Sequence, residues 1–146
     1  GAGFHNQGID VSREDAVTKD DPMAQFRLAR LMKEISDRTQ AVVAASGEVD
    51  IIVSPQDDKA YFLENGSPSM ARITGTGCML TCITGTYLSV TDALTACVLA
   101  ALTLDCAGEC ANAAKGLGTY HIELIDQLSL IDETKIAQLA NIQLLQ

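Results

Sequence analysis

An α/β fold is what this sequence predicts, on three observations. Short apolar, β-branched runs crowd its first half, helical periodicity holds almost unbroken from residue 78 to 140, and a Gly-Thr-Gly turn joins the two regimes. The 146 residues suit one domain, and 47% apolar content is enough for a sizeable core. With aromatics at 4% and no Trp, that core has to be built from Ala, Leu, Ile, Val and Thr, which favours helices packed closely on a sheet.

The elements follow in order. Residues 1–20 are polar and aperiodic, with Gly8-Ile-Asp-Val-Ser12 and an acidic stretch, and read as a solvent-facing loop. Asp21-Pro22 is a helix start, with an N-cap carboxylate followed by proline at the first helical position. Phe26, Leu28, Leu31, Met32 and Ile35 then recur at helical spacing through Arg38, so this segment is an amphipathic helix with those side chains inward. Gln40–Ala45 is a continuous apolar run of the kind found in parallel strands buried on both faces. Ser46-Gly47 turns the chain into a second strand, Val49–Val53, and Pro55–Asp58 turns it again into a third, Lys59–Leu63, closed by Asn65-Gly66. Glu48 and Asp50 flank a strand start and read as solvated carboxylates, with the orienting of a metal-bound water as the alternative, while Asn65 reads as a turn residue.

Beyond the turn, Met79–Leu88 forms a helix, and Asp92 to about Ala114 a long one whose near-uniform apolarity marks it as buried. Lys115-Gly-Leu-Gly118 interrupts. Thr119 caps a helix to about Leu128 with Ile122, Leu124, Ile125 and Leu128 inward, and a short helix over 133–140 and a strand over 142–145 complete the chain.

The chemistry concentrates in Arg72-Ile-Thr-Gly-Thr-Gly-Cys78. A strand end, a tight turn and a helix start place unpaired amides at the positive end of a helix dipole, a geometry that holds anions. Glycine keeps Cβ atoms out of the anion's way. The spacing is neither G-x-x-x-x-G-K-[ST] nor G-x-G-x-x-G, so a plain strand-to-helix turn around a buried cysteine stays open beside the anion-binding reading.

Composition narrows the classes. Nineteen acidic residues against ten basic give a net charge of −9 without a basic cluster, which argues against a nucleic-acid partner. The Ala93–Ala107 run is broken by Thr95, Thr103 and Asp105, so no membrane span or signal peptide is expected, and the chain reads as cytoplasmic. Five cysteines, at 78, 82, 97, 106 and 110, lack Cys-x-x-Cys spacing and are expected as buried reduced thiols and not as a zinc site.

Ser46-Gly-Glu-Val-Asp-Ile-Ile52, Asn65-Gly66, Thr74-Gly-Thr-Gly-Cys-Met-Leu80 and Lys115-Gly-Leu-Gly-Thr-Tyr-His-Ile-Glu-Leu124, in this order, resemble the hydroxyethylthiazole kinases. The resemblance implies a ribokinase-like, three-layer α/β/α fold and ATP-dependent phosphorylation of the hydroxyl of 4-methyl-5-(2-hydroxyethyl)thiazole, with Mg²⁺, for thiamine synthesis or salvage by a homotrimer. It implies Cys78 as the catalytic residue that accepts or relays the hydroxyl proton, where most ribokinase-like relatives carry aspartate. By the same carry-over Gly75, Thr76 and Gly77 supply the phosphate anion hole, Ser46 contacts ATP and Gly75 contacts the thiazole. The family's chain is about twice as long and its Mg²⁺-linked Asn/Glu motif has no counterpart here, so residues 1–146 read as the C-terminal part of one kinase domain, inactive alone, with no metal ligand assigned. Leu117 stands where the family usually has proline. A noncatalytic nucleotide- or anion-binding module, or a related kinase such as one for hydroxymethylpyrimidine, are the alternatives.

Overall fold

The structure is a computed structural model that describes residues 17–145. Most of the predicted N-terminal loop, with Gly8-Ile-Asp10, lies outside the described residues. The elements are α1 (Pro22–Thr39), β1 (Val43–Ala45), β2 (Asp50–Ser54), β3 (Asp57–Leu63), a 3-10 turn (Met70–Arg72), α2 (Thr76–Leu88), α3 (Ala93–Cys110), α4 (Leu117–Leu130), α5 (Glu133–Leu139) and β4 (Ile142–Leu145).

The four strands lie in chain order β1-β2-β3-β4, and every pair is antiparallel. That corrects the expectation of a parallel strand at 40–45, because an apolar run alone does not encode strand direction and the connections here are too short for crossovers. β1 is also less buried than expected, with Ala44 exposed. Central β2 is buried throughout and alternates its side chains between two layers. Ile51 and Val53 join Ala29 and Met32 beneath α1, whereas Ile52 packs with Leu63, Ala101 and Leu102 beneath α3. Helices therefore cover both sheet faces, giving a three-layer α/β/α arrangement.

α1 starts where the sequence places it. Asp21 Oδ1 accepts from the Ala24 amide at 2.9 Å, and Pro22 occupies the first turn. Its inward stripe is rotated from the expected one: Gln25, Ala29, Met32 and Ser36 are buried, while Phe26 and Ile35 remain 43% exposed. Small side chains let the helix settle close to the sheet, and Ser36 Oγ is satisfied by donating to the Ala41 carbonyl at 2.6 Å. Phe26 instead lies at the margin, its ring centroid 6.1 Å from that of Phe62.

α3 is the buried helix that its apolarity predicts, with nine buried residues. It is long and apolar enough to cross a bilayer, yet half of it is buried within this fold. Asp92 caps it by accepting from the Thr95 amide at 3.0 Å. It ends four residues early, at Cys110, since Asn112 N donates to Glu123 at 2.7 Å and Asn112 Oδ1 accepts from Ala114 N at 2.8 Å. Gly108 on α3 admits Met70, whose sulfur a Cβ at that position would overlap.

α4 begins at Leu117, after Gly116 with φ 112°, so Thr119 is not its cap. Its buried positions are Tyr120 and Leu124, whereas Ile122 and Ile125 are exposed, a phase set by docking Tyr120 against α3. The Tyr120 hydroxyl donates to the Gly108 carbonyl at 2.9 Å, which lets a phenol be fully buried. The cysteines divide likewise: all five are free, Cys106 is buried, Cys97 and Cys110 are half-buried, and Cys78 and Cys82 are exposed. The expectation of buried thiols thus fails for Cys78 and Cys82, because α2 is an outer helix with no buried residue.

Candidate functional site

The Gly-Thr-Gly motif becomes the start of α2. Gly75, with φ 105°, is the N-cap and offers no side chain to the helix, and Thr76, Gly77 and Cys78 form its first turn. The first intrahelical bond runs from Met79 N to the Gly75 carbonyl at 2.9 Å, leaving the amides of 76–78 without an intrahelical acceptor. Those amides and the helix dipole are an anion-binding arrangement in local form. No atom lies within 4 Å of a Cβ built on Gly75, so its glycine requirement is conformational. Gly75→Ala is expected to cost about 1–2 kcal/mol, read as a lower urea midpoint at unchanged m; an unchanged midpoint would show the turn relaxes freely.

Beside this helix start lies a cavity of about 610 Å³. Its walls are the 46–48 turn, the 65–68 loop, the beginning of α2 and the middle of α3. Of the residues singled out from the sequence, Ser46, Thr76 and Gly77 line it together, although thirty positions separate the first two. Gly75 and Cys78 do not line it; Cys78 is exposed on the first turn of α2.

Two turns contribute to the walls: Glu109 of α3 holds the 65–66 turn and Asp50 of β2 the 46–48 turn. Asn65 Nδ2 donates to Glu109 Oε1 and to the Leu139 carbonyl, each at 2.9 Å, and Asn65 Oδ1 accepts from Asn141 N at 2.8 Å. Gly66 N also donates to Glu109 Oε1 at 2.9 Å. Asn65 is therefore a buried junction joining β3, α3, α5 and β4, more than the turn residue the sequence suggested. Asp50 is corrected too. It is 7% exposed and not solvated, Oδ1 accepts from Gly47 N at 2.9 Å, and Asp105, itself 8% exposed, lines the same cavity. Burial, and next the neighbouring Asp50 charge, push the Asp105 carboxyl up to about 8; burial also raises Asp50.

Asp105 and Glu109 escaped the sequence reading. The signal was present: a carboxylate within an otherwise apolar, buried helix requires a partner. The identity of that partner was not legible, because Asn65, which Glu109 holds, lies 44 residues away along the chain.

The chain is a layered α/β protein whose uncapped helix start borders a cavity. Comparison narrows the class. The model of the hydroxyethylthiazole kinase family matches residues 9–134. A hydroxyethylthiazole kinase of Methanosphaera stadtmanae is 39% identical over 135 residues, covering 89% of this chain and 46% of its own length. One from Clostridium botulinum is 37% identical over 127 residues, with 87% and 46% covered. The structure of hydroxyethylthiazole kinase from Pyrococcus horikoshii superposes with a TM-score of 0.78 at 30% identity, over 85% of this chain and 48% of that one. The chain belongs to the hydroxyethylthiazole kinase family, and it spans about half the length of the curated relatives it matches.

Proposed function

We propose that this chain carries the phosphoryl-handling part of an ATP-dependent kinase acting on the hydroxyl of hydroxyethylthiazole, in thiamine synthesis or salvage. The observation that carries the reading is the uncapped start of α2 beside a cavity that Ser46 also lines. Amides of Gly75, Thr76 and Gly77, joined by that of Cys78 in the same turn, stabilise the charge on the transferring phosphoryl group, with Gly75 turning the chain into position and contacting the thiazole. Ser46 contacts ATP, and Cys78 accepts or relays the proton that leaves the attacking hydroxyl. Phosphoryl transfer asks the protein for positioning and charge stabilisation more than for covalent chemistry, which suits a site built from backbone amides.

Mg²⁺ belongs to the reading of the complete kinase, but the described residues do not furnish its site. No three His, Cys, Asp or Glu side chains converge among them, and Asp50 already accepts from Gly47 N. No step is derived through the metal.

The finer reading is of a cytoplasmic homotrimer. Val90, Ile122 and Leu130 are exposed apolar side chains, at 80%, 65% and 72%, and such surface is what supports association. The test is formation of hydroxyethylthiazole phosphate from ATP, measured with this chain alone and again with the span of a relative that it lacks supplied in trans. Product in either arm supports the kinase reading. Failure in both overturns it, and ATP binding without turnover would then favour a noncatalytic nucleotide-binding module.

A further inference from the structure

We propose that Glu109 is a positioning residue: standing outside the cavity, it sets the wall that begins at Asn65 and, through that wall, the placement of the helix start at Gly75. Asn65, Gly66, Met70 and Ala71 line the cavity, whereas Glu109 does not. One oxygen of Glu109 nevertheless takes two donors from this wall, Asn65 Nδ2 and Gly66 N, each at 2.9 Å. Hydrogen bonds to an ionised acceptor are the stronger kind, and one donor from the backbone with one from the side chain fixes the orientation of the turn as well as its place. Glu109 is itself exposed, so no packing calls for a carboxylate there and these bonds are its contribution.

A second tie, of a different kind, lies on the preceding residue of α3. Gly108 leaves the space that Met70 fills, and a Cβ there would overlap the Met70 sulfur. Gly108 is held in turn by Tyr120, whose hydroxyl donates to its carbonyl at 2.9 Å. Between the two ties the chain closes on itself: Met70 N donates to the Ser67 carbonyl at 2.9 Å, and Ser69 N to Ser67 Oγ at 3.3 Å. Ile73 and Thr74 alone then separate the 3-10 turn, which ends at Arg72, from Gly75. A short, braced segment thus runs from the Gly108-Glu109 platform on the buried helix to the amides at the start of the outer one. A displacement at residues 65–66 is passed to the cavity wall directly and to the helix start through that segment, and misplacement of a binding group by even about 1 Å is costly.

The link to ATP rests on the kinase reading above; the anchoring of the wall does not. Amide hydrogen exchange of the wild-type chain is expected to show Gly66 N protected, with faster exchange in Glu109→Ala and protection restored in Glu109→Gln, whose side-chain carbonyl still accepts both donors. ATP titration of the same proteins is expected to follow, about tenfold weaker for Glu109→Ala, the worth of one charge-assisted hydrogen bond, and near wild type for Glu109→Gln. Charge alone predicts the opposite, since removing a carboxylate near an anion site tightens the binding of the anion. An unprotected Gly66 amide in the wild type overturns the proposal even if the variants fail to fold, and so does a folded Glu109→Ala that binds ATP as tightly as wild type or more tightly. Equal weakening in Glu109→Gln and Glu109→Ala overturns it too, because the acceptor is then not what matters. A wild-type chain with Gly66 protected that binds no ATP sinks the kinase reading and the ligand role with it, while the anchored wall stands.

Discussion

Replacing Cys78 by alanine is expected to lower the turnover of hydroxyethylthiazole phosphorylation by about 10²–10⁴-fold, the range in which a positioned proton acceptor contributes to catalysis. The expectation is specific because the substitution should do little else. Cys78 is exposed on the first turn of an outer helix that buries none of its residues, so alanine removes no core contact and suits the helix. Stability should change by less than about 0.5 kcal/mol. Steady-state kinetics in the active preparation, paired with a thermal melt, separate the two effects. Full turnover in Cys78→Ala would remove the proton-transfer role and leave the amides of 76–78 as the catalytic feature. Gly75 and Cys78 stand off the cavity wall while Thr76 and Gly77 line it, so this distinction is the sharpest one available at the helix start.

Asn65→Ala is expected to be the costliest polar-to-apolar change in the fold, at about 3–5 kcal/mol, because several buried partners lose their hydrogen bonds together. The Leu139 carbonyl and the Asn141 amide would each be left without the side chain that satisfies them, and Glu109 would keep only Gly66 N. For a chain of this size the loss corresponds to a Tm lower by roughly 10–16 °C. Asn65→Asp retains the acceptor for Asn141 N but replaces a donor with a charge facing Glu109, so it should rescue little. A melt of Asn65→Ala within a degree or two of wild type would mean that water replaces the side chain at no cost, and that the junction is not structural.

The reach of sequence reasoning is clearest where a local rule suffices. Asp21-Pro22 and Asp92 were legible as helix starts because a cap interacts with amides two or three residues away. The burial of α3 followed from an apolar run with little polar relief, and the Gly75 turn from a glycine pattern that few other local structures need. Failures arose where the same residues suit two outcomes. The apolar run at 40–45 fits either strand direction, and Phe26, Leu28, Met32 and Ile35 describe a helical face without saying which neighbour it meets. In the structure the sheet selects the side of α1 that carries Ala29 and Ser36, since small side chains permit close approach. Tyr120 sets the phase of α4 in the same way, through one hydrogen bond to Gly108.

The candidate site divides along the same line. Thr74-Gly-Thr-Gly-Cys78 and its family likeness were readable directly, as was Ser46 by carry-over from that family. What the sequence by itself determined is the layered α/β class, the helix starts at Asp21 and Asp92, the family and the glycine turn at Gly75, all of which rest on interactions within a few residues or on ordered motifs. Only the tertiary structure decided that the sheet is antiparallel, that Ser46 shares a cavity with Thr76 and Gly77, and that Asp50, Asp105, Glu109 and Asn65 support its walls. The support of those walls depends on contacts between residues far apart in the chain, Gly66 with Glu109 at 43 positions and Asn65 with Asn141 at 76, and on desolvation that no local pattern encodes, because the cost of burying a carboxyl is set by whichever partner the fold delivers.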